Sequence, residues 1–265
     1  MVSKPKNMSM SESPKESSSG IRVISRAADI LRTLHNESRG LSLGQIAGQV
    51  KLPRSTVQRI VGALKVEGFV IDGPGESQIR IGPAFFSIAA ASLSDFKDPI
   101  RPYLEELSSE LDETVDLSIL SGGFVVFLDQ CSSRRKGLVA VSEVGARFPA
   151  HSCAPGKCLL AEEPDDNLHH ILPEQLEALT STTITNLPSL EKELKIVCSN
   201  GVSIDRQEHT DGISAVSTAI SNLPRGTAAI SIPMPSQRFE GNEDRYIKAL
   251  LACRAKINHA LGLNR

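Results

Sequence analysis

Tryptophan is absent from the 265-residue sequence, and tyrosine occurs only twice. Proteins that bind single-stranded nucleic acids stack the bases on aromatic side chains, and this chain has little material for such a surface. Its cysteines are odd in number and widely spread: Cys131, Cys153, Cys158, Cys198 and Cys253. A chain of this size needs no disulfide framework to fold, so we expect reduced thiols.

Long apolar runs are also missing. The longest stretch without a charged residue covers 14 residues, 81–94, which is shorter than the roughly 18 to 20 residues needed to cross a bilayer. The first twenty residues contain seven serines and no apolar segment of the kind found in signal peptides. We therefore expect a cytoplasmic protein that does not insert into a membrane. Its length predicts about two domains, at ~150 residues per domain.

Charge divides unevenly along the chain. Residues 1–90 carry 12 Lys and Arg against 7 Asp and Glu, a net charge of +5, whereas the remainder carries −7. Binding to DNA phosphates requires a local excess of positive charge. The division therefore favours a duplex-binding N-terminal part joined to a larger, acidic part that does not contact DNA.

The N-terminal part begins with a Ser-, Lys- and Pro-rich segment, residues 1–20, which lacks apolar periodicity and is predicted to be a disordered tail. Apolar residues then recur at helical spacing, with Ser25 as the predicted N-cap of a first helix. Ser42 and Gln45 have the spacing of a capping box, which predicts the start of a short second helix.

A third helix is predicted after Pro53, with an apolar face made by Val57, Ile60, Val61 and Leu64. Residues 69–82 then predict a strand, a tight turn and a second strand. Three helices followed by such a hairpin predict a winged helix-turn-helix domain over residues 21–82. Its predicted DNA contacts lie on the polar face of the third helix and on the wing: Arg54, Ser55, Thr56, Gln58, Arg59 and Arg80. The alternative is a winged helix that contacts protein.

Residues 83–97 are rich in Ala and Phe at helical spacing and predict a linker helix that packs on a partner. From residue 98 to 265, helical and strand patterns alternate, including a hairpin across Gly122 and Gly123. This predicts an α+β domain with a curved antiparallel sheet. The loop before Lys157 opens a helix, and we expect its free backbone N–H groups to face outward and bind a small anion or carboxylate, although most such turns bind nothing.

Several segments resemble the IclR-type transcriptional regulators. In the N-terminal part they are RAADILRTL, LSLGQIA, LPRSTVQRIVGAL and IRIG, and in the C-terminal part ETVDLSIL, GGFVVFLDQ, VGARFPAHSCAPGKCLLA, LEKELKIV and NGVSIDRQEHTDG. The resemblance covers about residues 22–262. It implies a winged helix-turn-helix domain followed by a GAF-like effector domain. The implied partners are double-stranded DNA with a palindromic operator, a small organic acid or aromatic compound as effector, and further copies of the chain in a homodimer or homotetramer.

The resemblance also implies the residues that bind the effector: Gly137, Ala140, Ala154, Pro155, Gly156, Asp205, Ala215, Ser231 and Pro233. Two of them depart from the family pattern, because Ala215 stands where a cysteine is common and Pro233 replaces a small polar residue. Losing these polar groups permits a larger or less polar ligand, or none. We expect no cofactor, no metal ion and no enzymatic activity.

Three other functions use the same part of the chain. A zinc site draws on two cysteines and three histidines: His151, Cys153, Cys158, His169 and His170. A redox switch draws on Cys153 and Cys158 alone. A hydrolase needs Cys153 as nucleophile with a histidine base and a carboxylate to orient it: His151 or His209, with Asp205 or Glu208. The Cys-x4-Cys spacing lacks a second spaced pair, and no recognisable nucleophile motif is present.

Overall fold

The computed structural model describes residues 17–35, 37, 39–73, 78–85, 87–88, 96–132, 142–224 and 226–263. By their internal contacts, residues 1–91 and 92–265 form two compact units, called here the head and the body. Two of the expected effector residues, Gly137 and Ala140, lie outside the described residues. So do residues 1–16 of the expected tail and residues 89–95 of the expected linker helix.

The head contains three helices, α1 (Ser17–His35), α2 (Leu43–Gln49) and α3 (Arg54–Val66). The capping box is present, since the Ser42 hydroxyl accepts from the Gln45 backbone N–H and the Gln45 side chain accepts from the Ser42 N–H. The prediction of Ser25 as an N-cap is wrong, because α1 begins at Ser17. No proline stands between these two serines, and extending an existing helix adds a hydrogen bond for each residue.

A three-stranded antiparallel sheet completes the head. It comprises β1 (Leu41–Ser42), β2 (Val70–Asp72) and β3 (Gln78–Ile81), in the order β1-β3-β2. The predicted wing corresponds to β2 and β3, whereas β1 has only two residues and carries no alternation that a sequence pattern could detect. Gly40 has a φ of +83°, and a Cβ there would lie 2.6 Å from the Ile79 carbonyl oxygen, so this close approach requires glycine.

The helices and strands of the head enclose one apolar core. Its buried side chains are Ile30, Leu34, Leu41, Ile46, Val57, Ile60, Val61, Val70 and Ile79. The apolar face predicted for α3 therefore packs inward, except that Leu64 is only partly buried. Because the apolar face of α3 is buried in this core, the opposite face of the helix is exposed to solvent.

The body is built on a six-stranded sheet in which every neighbouring pair is antiparallel, in the order β6-β5-β4-β9-β8-β7. Its strands are β4 (Val115–Ser121), β5 (Phe124–Cys131), β6 (Arg147–Pro149), β7 (Ser203–Arg206), β8 (Ile213–Leu223) and β9 (Gly226–Pro235). The predicted hairpin across Gly122 and Gly123 joins β4 to β5. The short strand β6 was not predicted.

The described helices of the body are α4 (Arg101–Leu111), α5 (Ala154–Ala161), α6 (Asp165–Ile171), α7 (Leu187–Asn200), α8 (Ser236–Phe239) and α9 (Glu243–Ala260). Two apolar clusters separate along β9: Ile230 and Ile232 pack with α4 and α9, whereas Ala229 packs with α5 and α7. Successive strand residues point to opposite faces, so helices cover both faces of the sheet. Ser231 shares the parity of Ala229, which places it on the α5 face.

Candidate functional site

The solvent-facing side of α3 carries the polar side chains that the sequence predicted. Arg54, Ser55, Gln58 and Arg59 are exposed and Thr56 is half-buried. Pro53 occupies the N-cap position, and its carbonyl accepts from the Thr56 N–H at 2.9 Å. A 13-residue helix with two arginines, a glutamine and a serine free in solvent has the donors and acceptors needed to read a major groove.

The remaining residue of the predicted interface, Arg80, lies on β3 and is half-buried. Its side-chain stem packs on the backbone of Gly40, where a Cβ would come within 2.7 Å of Arg80 Cγ. Its Nε atom is buried and has no hydrogen-bond partner among the described residues. The stem of Arg80 is therefore fixed by packing, whereas the arginines of α3 are not.

In the body, a cavity of about 300 Å³ opens on the α5 face of the sheet. Five of the expected effector residues line it: Pro155, Asp205, Ala215, Ser231 and Pro233. The sequence did not predict the other lining residues as effector contacts, although it singled out Cys153 and His209 for other roles. They come from β4, β5, β6, the start of β8 and the loops: Asp116, Phe127, Ser142, Phe148, Cys153, His209, Thr210 and Ile213. Period-2 alternation places Asp116 on one face of β4, but no local signal identifies which face meets a cavity.

Two expected effector residues, Ala154 and Gly156, are buried and are not among the residues that line this cavity. The Ala154 carbonyl accepts from the Ser203 hydroxyl at 2.6 Å, and a Cβ on Gly156 would come within 2.1 Å of the Ala150 carbonyl oxygen. The expectation that this helix start faces outward is wrong, since α5 is buried from Ala154 to Leu160. Its residues are mostly small and apolar, and the helix packs against β8 and α7.

Two aspartates are the acidic groups of the cavity lining. Asp116 accepts hydrogen bonds from Gln130 Nε2 at 2.8 Å and from the Ser142 hydroxyl at 2.7 Å. Asp205 accepts from the Glu208 backbone N–H at 2.6 Å. Burial raises the pKa of Asp116 to about 7, and it raises the pKa of Asp205 to about 7 as well. Both carboxyl groups therefore change their protonation near neutral pH.

Three ring side chains, Phe127, Phe148 and His209, form an aromatic wall of the same cavity. The rings of Phe148 and His209 stack with centroids 3.7 Å apart, and Phe127 meets Phe148 edge to face at 4.9 Å. Burial, followed by the nearby His151, lowers the pKa of His209, so its ring is neutral at pH 7. The wall is therefore flat, apolar and uncharged, as suits a ring-shaped ligand.

Lys157 on α5 is 1% exposed and anchors the turn that follows β7. Its ammonium donates to Glu208 Oε1 at 2.6 Å, to the Ile204 carbonyl at 2.6 Å and to Glu193 Oε1 at 3.2 Å. Burial raises the pKa of Glu208, and the adjacent Lys157 opposes that rise. Because Glu208 also donates its N–H to Asp205, the lysine holds the segment that carries this cavity carboxylate.

Neither Cys153 nor Cys158 has the surroundings of a nucleophile. Burial raises the pKa of Cys153 far above its usual range and that of Cys158 to about 11. Nucleophilic catalysis and thiol exchange both need the thiolate, which these environments disfavour. The five cysteines are free thiols, and within the described ranges no group of three or more His, Cys, Asp or Glu is arranged to hold a metal ion.

A helix-turn-helix head followed by a body with a ring-sized cavity defines a ligand-responsive DNA-binding protein. Two family models match the chain: the IclR helix-turn-helix domain over residues 23–71 and the bacterial transcriptional regulator IclR C-terminal domain over residues 88–259. The chain belongs to the IclR family. It is a transcriptional regulator with a DNA-binding helix-turn-helix domain and a C-terminal effector-binding domain.

Similar proteins agree with this assignment. The chain is 42% identical over 241 residues to the HTH-type transcriptional regulator Rv1719 of Mycobacterium tuberculosis, covering 91% of this chain and 93% of the relative. It is 41% identical over 244 residues to the HTH-type transcriptional regulator TtgV of Pseudomonas putida, covering 92% and 93%. The solved IclR transcriptional regulator of Alicyclobacillus acidocaldarius has a TM-score of 0.75 at 25% identity, covering 90% and 98%.

These relatives are transcriptional regulators and not enzymes. As for membranes, none of the helices in the described part of the chain combines the length and the apolar character that a bilayer span needs.

Proposed function

We propose that this regulator binds a palindromic operator as a homodimer or homotetramer in the cytoplasm and that a small organic effector in the cavity changes its DNA affinity. The domain limits proposed for these tasks are residues 21–82 for DNA binding, 83–97 for the linker helix and 98–265 for effector binding and oligomerisation. No catalytic step is assigned to the body. The observation that carries the proposal is an exposed polar face on α3 in a chain that also holds an apolar cavity.

The DNA contacts are assigned to α3 and the wing. Arg59 and Gln58 have the side chains that pair with guanine and adenine edges, and Arg54 lies at the exposed start of the helix. Ser55 and Thr56 in the first turn suit phosphate oxygens, because backbone N–H groups there are free. Two copies of α3 in a two-fold dimer occupy half-sites about 34 to 36 Å apart, or a multiple of that distance.

The effector contacts are assigned to the cavity, with Asp205 and Ser231 as polar groups and Pro155, Ala215 and Pro233 as apolar lining. A ligand shifts a regulator only by binding one arrangement of the molecule more tightly than another. The cavity is lined by strands from both halves of the sheet and by the start of α5, so a ligand there contacts several elements at once.

Selection of bound duplexes from a random DNA pool at two salt concentrations tests the proposal. We expect a palindromic sequence whose affinity falls steeply with salt, because binding releases counterions from the phosphates. Arg59→Ala should weaken binding to that duplex about 5- to 150-fold, the range for a lost base contact. Lys248→Ala removes an exposed positive charge from α9 of the body and serves as the matched control, with little expected effect.

Binding of Arg59→Ala as tight as that of the wild-type protein would contradict the assignment of α3. A failure to enrich any duplex, even at low salt, would contradict DNA binding by this chain. Light scattering of the free and DNA-bound protein measures the oligomeric state, and a monomer on DNA would contradict the two-fold arrangement.

A further inference from the structure

The two cavity carboxylates lie at opposite sides of one row of strands. Asp205 on β7 is paired with Ala215 on β8, which is paired with Pro233 on β9. On the same face, Asp116 on β4 is paired with Ser231 on β9. Asp205 and Asp116 are therefore separated by three strand spacings, about 14 Å across the strands at ~4.8 Å for each spacing, and by two residues along the strand direction.

Small side chains occupy the floor between the two carboxylates. On the opposite face of the same strands, bulky residues such as Val216, Ile230 and Ile232 are fully buried in an apolar core. On the cavity face the corresponding positions are Ala215, Ser231 and Pro233. The difference in side-chain volume leaves the space of about 300 Å³, whereas roughly 150 Å³ already holds a benzene molecule.

Among the residues that the structure describes, the charge of the cavity lining is one-sided. Among the described residues that line the cavity, neither lysine nor arginine occurs, while two carboxyl groups do. The nearest buried ammonium, on Lys157, is engaged by three acceptors and is not part of the lining. A carboxylate ligand would meet acceptors of its own sign, and burying such a charge without a partner is costly.

The hydrogen bonds of Asp116 leave it free to accept one more. Each of its carboxylate oxygens takes one donor, from Gln130 or from Ser142, and a carboxylate oxygen has room for two. The side chain is 1% exposed, so its two partners hold it in place at the cavity wall.

We propose that Asp116 and Asp205 select as effector a flat ring compound that carries a hydrogen-bond donor and no negative charge, of the phenol type. The Phe148 and His209 rings stack on the apolar part of the ligand, and its donor meets one of the two carboxylates. This proposal rests on the effector-controlled function proposed above. The resemblance implies organic acids or aromatic compounds as effectors, and the proposal selects the aromatic compounds. Asp116 is a specificity-determining residue that the family resemblance did not indicate.

The test is a calorimetric titration of the full-length wild-type protein at pH 8 with three compounds of one shape: 4-propylphenol, 4-propylanisole and 4-propylbenzoate. The phenol has a donor, the methyl ether has none, and the benzoate is an anion. We expect the phenol to bind, the ether to bind about tenfold or more weakly because it loses a hydrogen bond to a charged group, and the benzoate to bind most weakly.

Aspartate variants connect this ranking to the two side chains. Asp116→Asn and Asp205→Asn should each reduce the preference for phenol over benzoate about tenfold. Asp211→Asn removes a carboxylate from an exposed position that does not line the cavity and should leave the ranking unchanged. Circular dichroism shows whether each variant folds, and the wild-type ranking stands even if one does not.

Benzoate that binds as tightly as the phenol overturns the proposal, as does an ether that matches the phenol. Absence of measurable binding by all three compounds also overturns it, because the cavity has room for each. The titration contains no DNA, so its failure is distinct from a failure of the duplex selection, which tests the regulatory function itself.

Discussion

In the head, all but one of the polar side chains of the proposed interface lie on α3, within six residues of chain, from Arg54 to Arg59, and the remaining one, Arg80, lies on β3. In the body, the polar groups of the cavity come from separate strands and turns: Asp116, Ser142, Asp205 and Ser231 are all buried. DNA is a large ligand that binds to a surface, whereas a small effector must be surrounded to lose its water. In the head, therefore, different residues stabilise the fold and contact the ligand, whereas in the body the residues that contact the ligand are themselves buried in the fold.

The largest expected effect in this comparison of head and body comes from breaking the buried ion pair between Lys157 and Glu208. Lys157→Met leaves Glu208 buried without its partner, so we expect a loss of about 3 to 5 kcal/mol in the free energy of unfolding of the body. Hydrogen exchange should show faster opening of the body amides and unchanged exchange in the head. Lys192→Met, at an exposed position on α7, is the matched control and should change stability by less than about 0.5 kcal/mol.

Unchanged hydrogen-exchange protection of the body amides in Lys157→Met would show that the lysine does not hold the segment that carries Asp205. The double variant Lys157→Met, Glu208→Gln sharpens the result. It should recover part of the lost stability, because the second change removes the uncompensated carboxylate.

The pH dependence of stability gives the next largest effect. Burial raises the pKa of Asp116 from an ordinary value of 3.8 to about 7, so the folded state holds a proton that the unfolded state releases between these values. Stability contributed by this group is complete below about pH 4 and is lost as the pH rises to about 7. Asp116→Asn has no such loss and should exceed the wild-type protein at pH 8 by a few kcal/mol, at about 1.4 kcal/mol per pKa unit.

Urea unfolding at pH 4.5 and pH 8 measures this effect. The advantage of Asp116→Asn should be small at the lower pH and larger at the higher one. Equal differences at both pH values would mean that the carboxyl group titrates normally and is in contact with water. A surface carboxylate of the head, Glu67, provides the comparison, since Glu67→Gln should show no such change.

The smallest expected effect belongs to the head. Ser42→Ala removes the capping box of α2 and should lower head stability by about 1 kcal/mol. Ser55→Ala, on the exposed face of α3, should leave stability unchanged and weaken DNA binding. Thermal unfolding and duplex binding of both variants separate the two roles. Loss of stability in Ser55→Ala would contradict the division between core face and recognition face.

Much of the head could be predicted from local patterns. The Ser42–Gln45 capping box, the apolar face of α3 and the wing strands each depend on residues a few positions apart. The start of α1 was missed because nothing in the sequence stops the helix between Ser25 and Ser17. Of the cavity, Asp205 and Ser231 were available through the family resemblance, whereas Asp116, Phe148 and His209 were not.

The sequence by itself determined most helices and strands, the positive charge of the head and the family. These depend on periodicity, capping and composition, which are local properties. Only the tertiary structure decided that α5 is buried, that Lys157 pairs with Glu208 across 51 positions, and that Asp116 and Asp205 lie on the same face of four adjacent strands. Strand order and burial set these contacts and the pKa values that follow, because both depend on which distant segments pack together.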